Sequence, residues 1–207
     1  MRRMRTLWGK ELLWFCKRHR LLLGFALLFF LGTGLGAFFV RTASPGVLET
    51  VASLAGGFSE KRAQQSFFET AAASFLPTFL LLLALFFSGF CAIGQPVIVM
   101  VPLFRGLGFG LWAGYLYAQY GLLGAEYVAV LLLPGVVIST LALLAGAAEA
   151  MRLSGQFWGS IHGRDLHPVK PYCVLFAGLA AVLLAAALAD GAMTSLFGRW
   201  FLSVTSL

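Results

Sequence analysis

The chain has 207 residues, of which 60% are hydrophobic and only 11% are charged. Its mean hydropathy of +0.89 lies outside the range of soluble globular domains and indicates a membrane protein. A net charge of +7 would suggest nucleic acid as the partner of a soluble protein, but here the basic residues flank apolar segments. Orientation in the membrane and anionic lipid explain that charge, so we expect membrane lipid and no nucleic acid as a partner.

Residues 1–20 form a basic segment, and the apolar stretch that follows it is the first of five. This first stretch is too long for the core of a cleaved signal peptide, which has about 7 to 15 residues, so we expect it to be retained. Each stretch has about the 20 residues that cross the hydrocarbon core of a bilayer. Because backbone polar groups must pair internally in lipid, we predict an all-α bundle of about five transmembrane helices. The predicted spans cover residues 21–40, 71–93, 97–120, 127–148 and 171–192 of a single membrane domain, 21–207.

The distribution of lysine and arginine predicts the orientation of this bundle. With the N-terminus in the cytoplasm, ten basic residues fall on the inner side and four on the outer side. The positive-inside rule therefore favours a cytoplasmic N-terminus and, for an odd number of spans, an outer C-terminus. The inner residues are Arg2, Arg3, Arg5, Lys10, Lys17, Arg18, Arg20, Arg152, Arg164 and Lys170, and the outer ones are Arg41, Lys61, Arg62 and Arg199.

Two of the predicted loops between spans are long. The predicted outer loop, residues 41–70, carries apolar residues at helical spacing. This pattern predicts either a short amphipathic helix on the membrane surface or a loop that folds back on the bundle. The predicted inner loop, residues 149–170, is expected to be a flexible connector whose histidines match no standard metal-ligand spacing, so we predict no metal site. The apolar residues of the outer loop are Val47, Val51, Leu54 and Phe58; the inner-loop residues considered as ligands are His162, Asp165 and His167.

A tight turn is predicted between the second and third spans, where Gly94 and Pro96 leave only a few residues for the connection. Proline lacks an amide donor and pushes the residue before it out of helical geometry. Pro102, inside the third span, is expected to break or kink that helix near Arg105 for the same reason.

Arg105 is an ionisable residue in a run that is otherwise apolar. At membrane depth such a residue costs about 2.5 to 3.5 kcal/mol on insertion scales, so it needs a partner, a water-filled crevice or a route to the headgroups. One interpretation is that its side chain snorkels towards the cytoplasmic headgroups or forms a structural pair. The other is a transport site beside the helix break at Pro102.

Three carboxylates could pair with Arg105. Glu126 and Asp190 are expected near the outer ends of their spans, away from it. Glu149 is expected at the inner end of the fourth span, and its ordinary partner would be Arg152, three residues later. The alternative and more specific hypothesis is that Glu149 pairs with Arg105 across two helices.

Glycines in the third span recur every four residues and therefore share one face of a helix. Such a face lets another helix approach closely, and the first span offers a similar one. We expect these faces to pack within one chain rather than to form a homodimer. The packing glycines are Gly106, Gly110 and Gly114 in the third span and Gly32 and Gly36 in the first; Ala177, Ala181, Ala185 and Ala189 form a comparable face in the fifth.

The residues that usually carry out chemistry are missing from recognisable arrangements. The sequence has no glycine-rich phosphate loop after a strand, no paired carboxylates in a predicted cleft, and no serine or cysteine with a credible base. We therefore expect no catalytic residues and no cofactor. Aromatic residues such as Trp112 and Tyr172 are expected to anchor the chain at the bilayer surface.

The central part of the chain resembles the stage II sporulation protein M family. The resemblance rests on Gly94-Gln-Pro96, on Arg105-Gly106 nine positions later, and on the glycines and proline that follow. It extends from about residue 17 to about residue 196, and the basic residue before the third-span glycines fits the family pattern. One departure is Gly135-Val-Val-Ile138, which lacks the polar or acidic residues of many relatives. The remaining positions that carry the resemblance are Gly110, Gly114, Gly121, Gly124 and Pro134, with Gly32-Thr-Gly-Leu-Gly36 and Ala145-Gly-Ala-Ala-Glu149 at the ends of the first and fourth spans.

The resemblance implies a multi-pass protein of the bacterial cell membrane that acts in sporulation. It implies a non-enzymatic scaffold that recruits or anchors peptidoglycan hydrolases, the stage II sporulation proteins D and P, during engulfment. The expected location is the mother-cell membrane at the sporulation septum. The alternative function is a permease subunit that moves an unknown solute along a pathway lined by Arg105 and the break at Pro102.

Overall fold

A computed structural model describes residues 20–42, 67–91, 93–122, 128, 133–160 and 169–205, with side chains omitted for Phe67, Tyr120, Val169 and residues 157–160 and 193–205. These residues form five α-helices and no strand. All five helices are long and apolar enough to cross a membrane, which confirms the predicted all-α membrane fold. The helices are α1 (Arg20–Thr42), α2 (Phe67–Gly89), α3 (Gln95–Tyr120), α4 (Leu133–Ser160) and α5 (Val169–Thr205).

The second helix lies four residues earlier than predicted, at Phe67–Gly89 instead of 71–93, and two other helices continue well beyond the ends of their predicted spans. α4 continues to Ser160, so the first part of the predicted inner loop, residues 149–160, is helical. α5 continues to Thr205, and its 37 residues make about 55 Å of helix, more than a bilayer core requires. Hydropathy marks where a helix leaves hydrocarbon but not where it ends, because a helix can continue in water. The apolar stripe of the outer loop, residues 47–58, lies outside the described residues.

The helices alternate in direction. α1 and α3 run parallel and form the most extensive helix contact, whereas α2 runs antiparallel to α5. α4 contacts all four other helices, and half of its membrane-length window is buried. It therefore separates an α1–α3 pair from an α2–α5 pair. We call the end of the bundle that holds residues 89–94 the turn end and the opposite end the far end.

The interior is apolar around the centre of α4. Leu85 of α2, Ile98 of α3, Leu143 of α4 and Leu183 of α5 are almost completely buried in one cluster. Large apolar side chains also cover the outer surface, as at Phe30, which is 70% exposed. An apolar exterior around a packed interior is the surface expected in contact with lipid tails.

Aromatic side chains close the turn end of the α2–α5 contact. The ring of Tyr172 stacks on Phe86 and lies edge-on to Phe90, and its hydroxyl donates to the carbonyl oxygen of Phe86 at 2.9 Å. Tyr172 is only 8% exposed. The expectation that it anchors the chain at the bilayer surface is therefore wrong, because its hydroxyl is satisfied by a backbone carbonyl inside the bundle.

Candidate functional site

The turn between α2 and α3 is short and internally hydrogen-bonded. The amide of Gly94 donates to the carbonyl oxygen of Cys91 at 3.0 Å, and Pro96 lies in the first turn of α3, where a missing amide donor costs nothing. Gly94 has an ordinary right-handed backbone, with φ of −71°. A Cβ on Gly94 would lie only 2.8 Å from the carbonyl carbon of Ser88, so glycine is required by space rather than by conformation.

α4 fixes this turn from the side. Ser154 is fully buried, and its hydroxyl donates to the carbonyl oxygen of Cys91 at 2.8 Å. We predict that Ser154→Ala lowers the free energy of unfolding by about 1 kcal/mol, because a buried hydrogen bond is lost. Thermal unfolding in detergent would measure the effect. Cys91→Ser is the matched control, since the accepting atom belongs to the backbone and the Cys91 side chain is exposed; an equal loss in both variants would contradict the prediction.

Pro102 does not break α3. The helix is continuous from Gln95 to Tyr120 with Pro102 inside it and fully buried. Proline removes one amide donor, which deprives the carbonyl of Ile98 of its usual helical partner. The predicted break is absent because neighbouring helices can stabilise such a position within a membrane bundle.

The predicted packing glycines lie between α1 and α3. A Cβ on Gly106 would lie 2.9 Å from the carbonyl carbon of Phe29, and a Cβ on Gly110 would lie 2.8 Å from that of Thr33. From the other side, a Cβ on Gly32 or Gly36 would lie 2.9 Å or 2.7 Å from a backbone nitrogen of α3. A Cβ on Gly114 would lie 3.1 Å from the Cα of Ala37. The structure thus brings all five glycines into a single intramolecular interface with backbone against backbone.

The comparable alanine face of α5 behaves differently. Ala177, Ala181, Ala185 and Ala189 are all exposed on the surface of the bundle. Small residues at this spacing are therefore used for packing within the chain in α1 and α3, but not in α5.

Arg105 points into the bundle. Its Cα lies ten residues from the start of α3, about 15 Å along the helix, which places it near the middle of the span. One terminal nitrogen of its guanidinium donates to the hydroxyl of Ser139 at 3.0 Å, and this hydroxyl in turn donates to the carbonyl oxygen of Val136 at 3.1 Å. Ser139 is 15 residues, about 22 Å, from Ser154 at the turn end. The side chain therefore forms an interhelical bond and does not snorkel towards the turn end.

Glu149 lies elsewhere. Its carboxylate accepts a hydrogen bond from Arg152, the partner that the three-residue spacing predicts, and both side chains are partly exposed. Ten residues, or about 15 Å of α4, separate Glu149 from Ser139. The structure does not bring Glu149 to Arg105, because Arg105 contacts the other half of α4.

Asp190, which was expected to lie away from Arg105, lies beside the half of α4 that Arg105 contacts. Its carboxylate accepts a hydrogen bond from Ser74 of α2 at 2.5 Å. Its other oxygen lies 3.5 Å from the position of a Cβ on Gly135, which is one helical turn from Ser139. We call Ser74, Arg105, Ser139 and Asp190 the polar cluster; it joins four helices in the far half of the bundle.

The remaining predicted positions are at helix ends. Gly121 ends α3 with a φ of 58°, in the left-handed region that favours glycine, and its amide donates to the carbonyl oxygen of Tyr117 at 2.9 Å. Pro134 is the second residue of α4, where a proline is well tolerated. Gly124 lies outside the described residues.

The sequence model of the stage II sporulation protein M family matches residues 25–195. The chain belongs to this family. The match covers the glycine interface, the turn and all four residues of the polar cluster. Comparisons with curated proteins and with solved structures returned no match. The protein is therefore related to sporulation and has a multi-pass membrane fold.

In the polar cluster of this stage II sporulation protein M relative, each of the two charged side chains forms a hydrogen bond with a serine hydroxyl. Both serine hydroxyls are donors in it, Ser74 to Asp190 and Ser139 to the carbonyl of Val136. In the described parts of the chain, no three His, Cys, Asp or Glu side chains come together in a way that could hold a metal ion. The inner-loop residues His162, Asp165 and His167 lie outside those parts.

The residues Ser74 and Ser139 and the position of Asp190 beside α4 were not predicted from the sequence. One signal was present: Thr70, Ser74 and Thr78 recur every four residues in the apolar α2 and thus share one face. Thr70 and Thr78 are at most 3% exposed, so this face points into the bundle. A hydroxyl stripe along an apolar helix indicates where a charged residue from another helix can be satisfied.

Proposed function

We propose that this protein is a non-enzymatic membrane scaffold that recruits or anchors peptidoglycan hydrolases at the sporulation septum during engulfment. The proposed partners are the stage II sporulation proteins D and P, and the proposed location is the mother-cell membrane. The match to the stage II sporulation protein M family over residues 25–195 carries this proposal. A scaffold needs no reacting groups; it needs a stable set of spans and surfaces that partners can contact.

The orientation that the basic residues predict is part of the proposal. With the turn end in the cytoplasm, Arg152 and Lys170 lie on the inner side. The far end then faces the cell wall, where hydrolases act. The part of α5 beyond residue 192 would extend from the membrane on that side.

Deletion of the gene in its sporulating host tests the proposal. We expect engulfment to stall and fluorescently labelled hydrolases to lose their septal position, because the anchor is absent. Expression of the wild-type protein in the deletion strain should restore both, and affinity capture of the protein during septation should recover the hydrolases. Normal engulfment in the deletion strain would refute the assignment.

A permease subunit is the second candidate, and the observation in its favour is the polar cluster. Charged residues inside a membrane bundle often mark a solute or proton pathway. The continuous α3 removes the helix break on which this interpretation partly depended. Arg105→Met separates the two functions: a folded variant of a scaffold should still capture the hydrolases, whereas a folded variant of a permease should lose transport of its solute.

A further inference from the structure

Arg105 and Asp190 approach the same face of α4 from two different helices. Gly135 and Ser139 are four residues apart in α4, so they lie one turn apart on that face, with about 5 to 6 Å between their Cβ positions. Arg105 bonds to Ser139 at 3.0 Å, and a carboxylate oxygen of Asp190 lies 3.5 Å from the Cβ position of Gly135. The two oppositely charged groups therefore contact positions that lie one helical turn apart on α4.

Both charged side chains are partly buried. Arg105 is partly buried, and its Nε atom is buried with no hydrogen-bond partner among the described residues. A partly buried guanidinium that bonds to one hydroxyl is stabilised further by a nearby negative charge. This attraction is stronger inside the bundle because electrostatic attraction grows as the dielectric constant falls.

Gly135 lies beside the carboxylate, at a distance that would be ordinary van der Waals contact for a Cβ. It has no side chain, and the space that a Cβ would enter is bordered by the Oδ1, Cγ and Cβ atoms of Asp190.

We propose that Asp190 is the counter-charge of Arg105, and that the two residues form a charge-compensated joint that ties α5 to α3 across α4. Elsewhere in the described residues, α3 and α5 make little direct contact. The joint thus connects the α1–α3 pair with the α2–α5 pair in the far half of the bundle. This inference is independent of the proposed function, because it concerns assembly of the bundle whatever its partners are.

A double-mutant cycle on the full chain in lipid nanodiscs tests the joint. Arg105→Met and Asp190→Asn should each lower the midpoint of thermal unfolding by about 5 °C or more, because each leaves one charge without compensation. The double variant should recover most of that loss, since it leaves no uncompensated charge. For variants that fold poorly, the fraction of monodisperse protein after solubilisation replaces the midpoint, and the same recovery is expected.

Glu149→Gln is the matched control, because it removes an acidic residue that pairs with Arg152 and whose side chain is partly exposed. Its midpoint should be unchanged, as expected for an exposed ion pair. Losses that simply add in the double variant would overturn the joint, because additive losses mean that the two residues do not interact.

Discussion

Replacing Gly110 with leucine should prevent the chain from folding stably. A Cβ at this position would lie 2.8 Å from both the carbonyl carbon and the Cα of Thr33, so the obstacle is the α1 backbone and not a movable side chain. α1 would have to separate from α3 and lose the most extensive helix contact in the bundle. We expect a loss of about 3 kcal/mol or more, at the upper end for overpacked sites.

Gly108→Leu is the matched control for this prediction. Gly108 lies two residues earlier in the same helix, is exposed, and has nothing within 4 Å of its Cβ position. Both variants add the same apolar side chain, so insertion into the membrane should be equal. The yield of monodisperse protein and the midpoint of thermal unfolding should fall only in Gly110→Leu; similar values for both variants would show that α1 does not pack on this face.

The glycine interface and the polar cluster stabilise different parts of the bundle. The interface joins α1 to α3 by close backbone contact, which needs no polar groups. The cluster joins α2, α3, α4 and α5 by hydrogen bonds and charge. α4 contacts every other helix, so it connects the helices of the interface with those of the cluster.

Most of the fold follows from local properties of the sequence. Spans follow from apolar length, and the close-packing faces follow from glycines at four-residue spacing, since both patterns are set within one helix. The tight turn at Gly94 also follows from local residues. These features are therefore accessible without any knowledge of how the helices are arranged.

The partner of Arg105 could not be obtained in this way. Sequence position gives the depth of a Cα, and by depth alone Glu149 and Arg105 were assigned to the same side. The structure shows that the long arginine side chain reaches Ser139 in the other half of α4, and that α5 presents Asp190 to the same region. Both facts depend on the relative rotation of helices, which no pattern within a single helix determines.

A valine at Gly94 should disrupt the turn end of the bundle. The Cβ would lie 2.8 Å from the carbonyl carbon of Ser88 and 3.0 Å from its Cα, in a turn whose amides are already committed to short-range hydrogen bonds. Opening the turn would also displace the Cys91 carbonyl from Ser154. We expect a loss of about 3 kcal/mol or more in the free energy of unfolding, combining overpacking with a buried hydrogen bond.

Ile93→Ala provides the control, because Ile93 is the neighbouring residue and is 82% exposed. It should unfold at nearly the wild-type temperature, whereas Gly94→Val should give little folded protein. In the sporulating host, Ile93→Ala should support engulfment and Gly94→Val should not, if the protein acts there as proposed. A Gly94→Val protein with wild-type stability would mean that α2 and α3 do not meet in this tight turn.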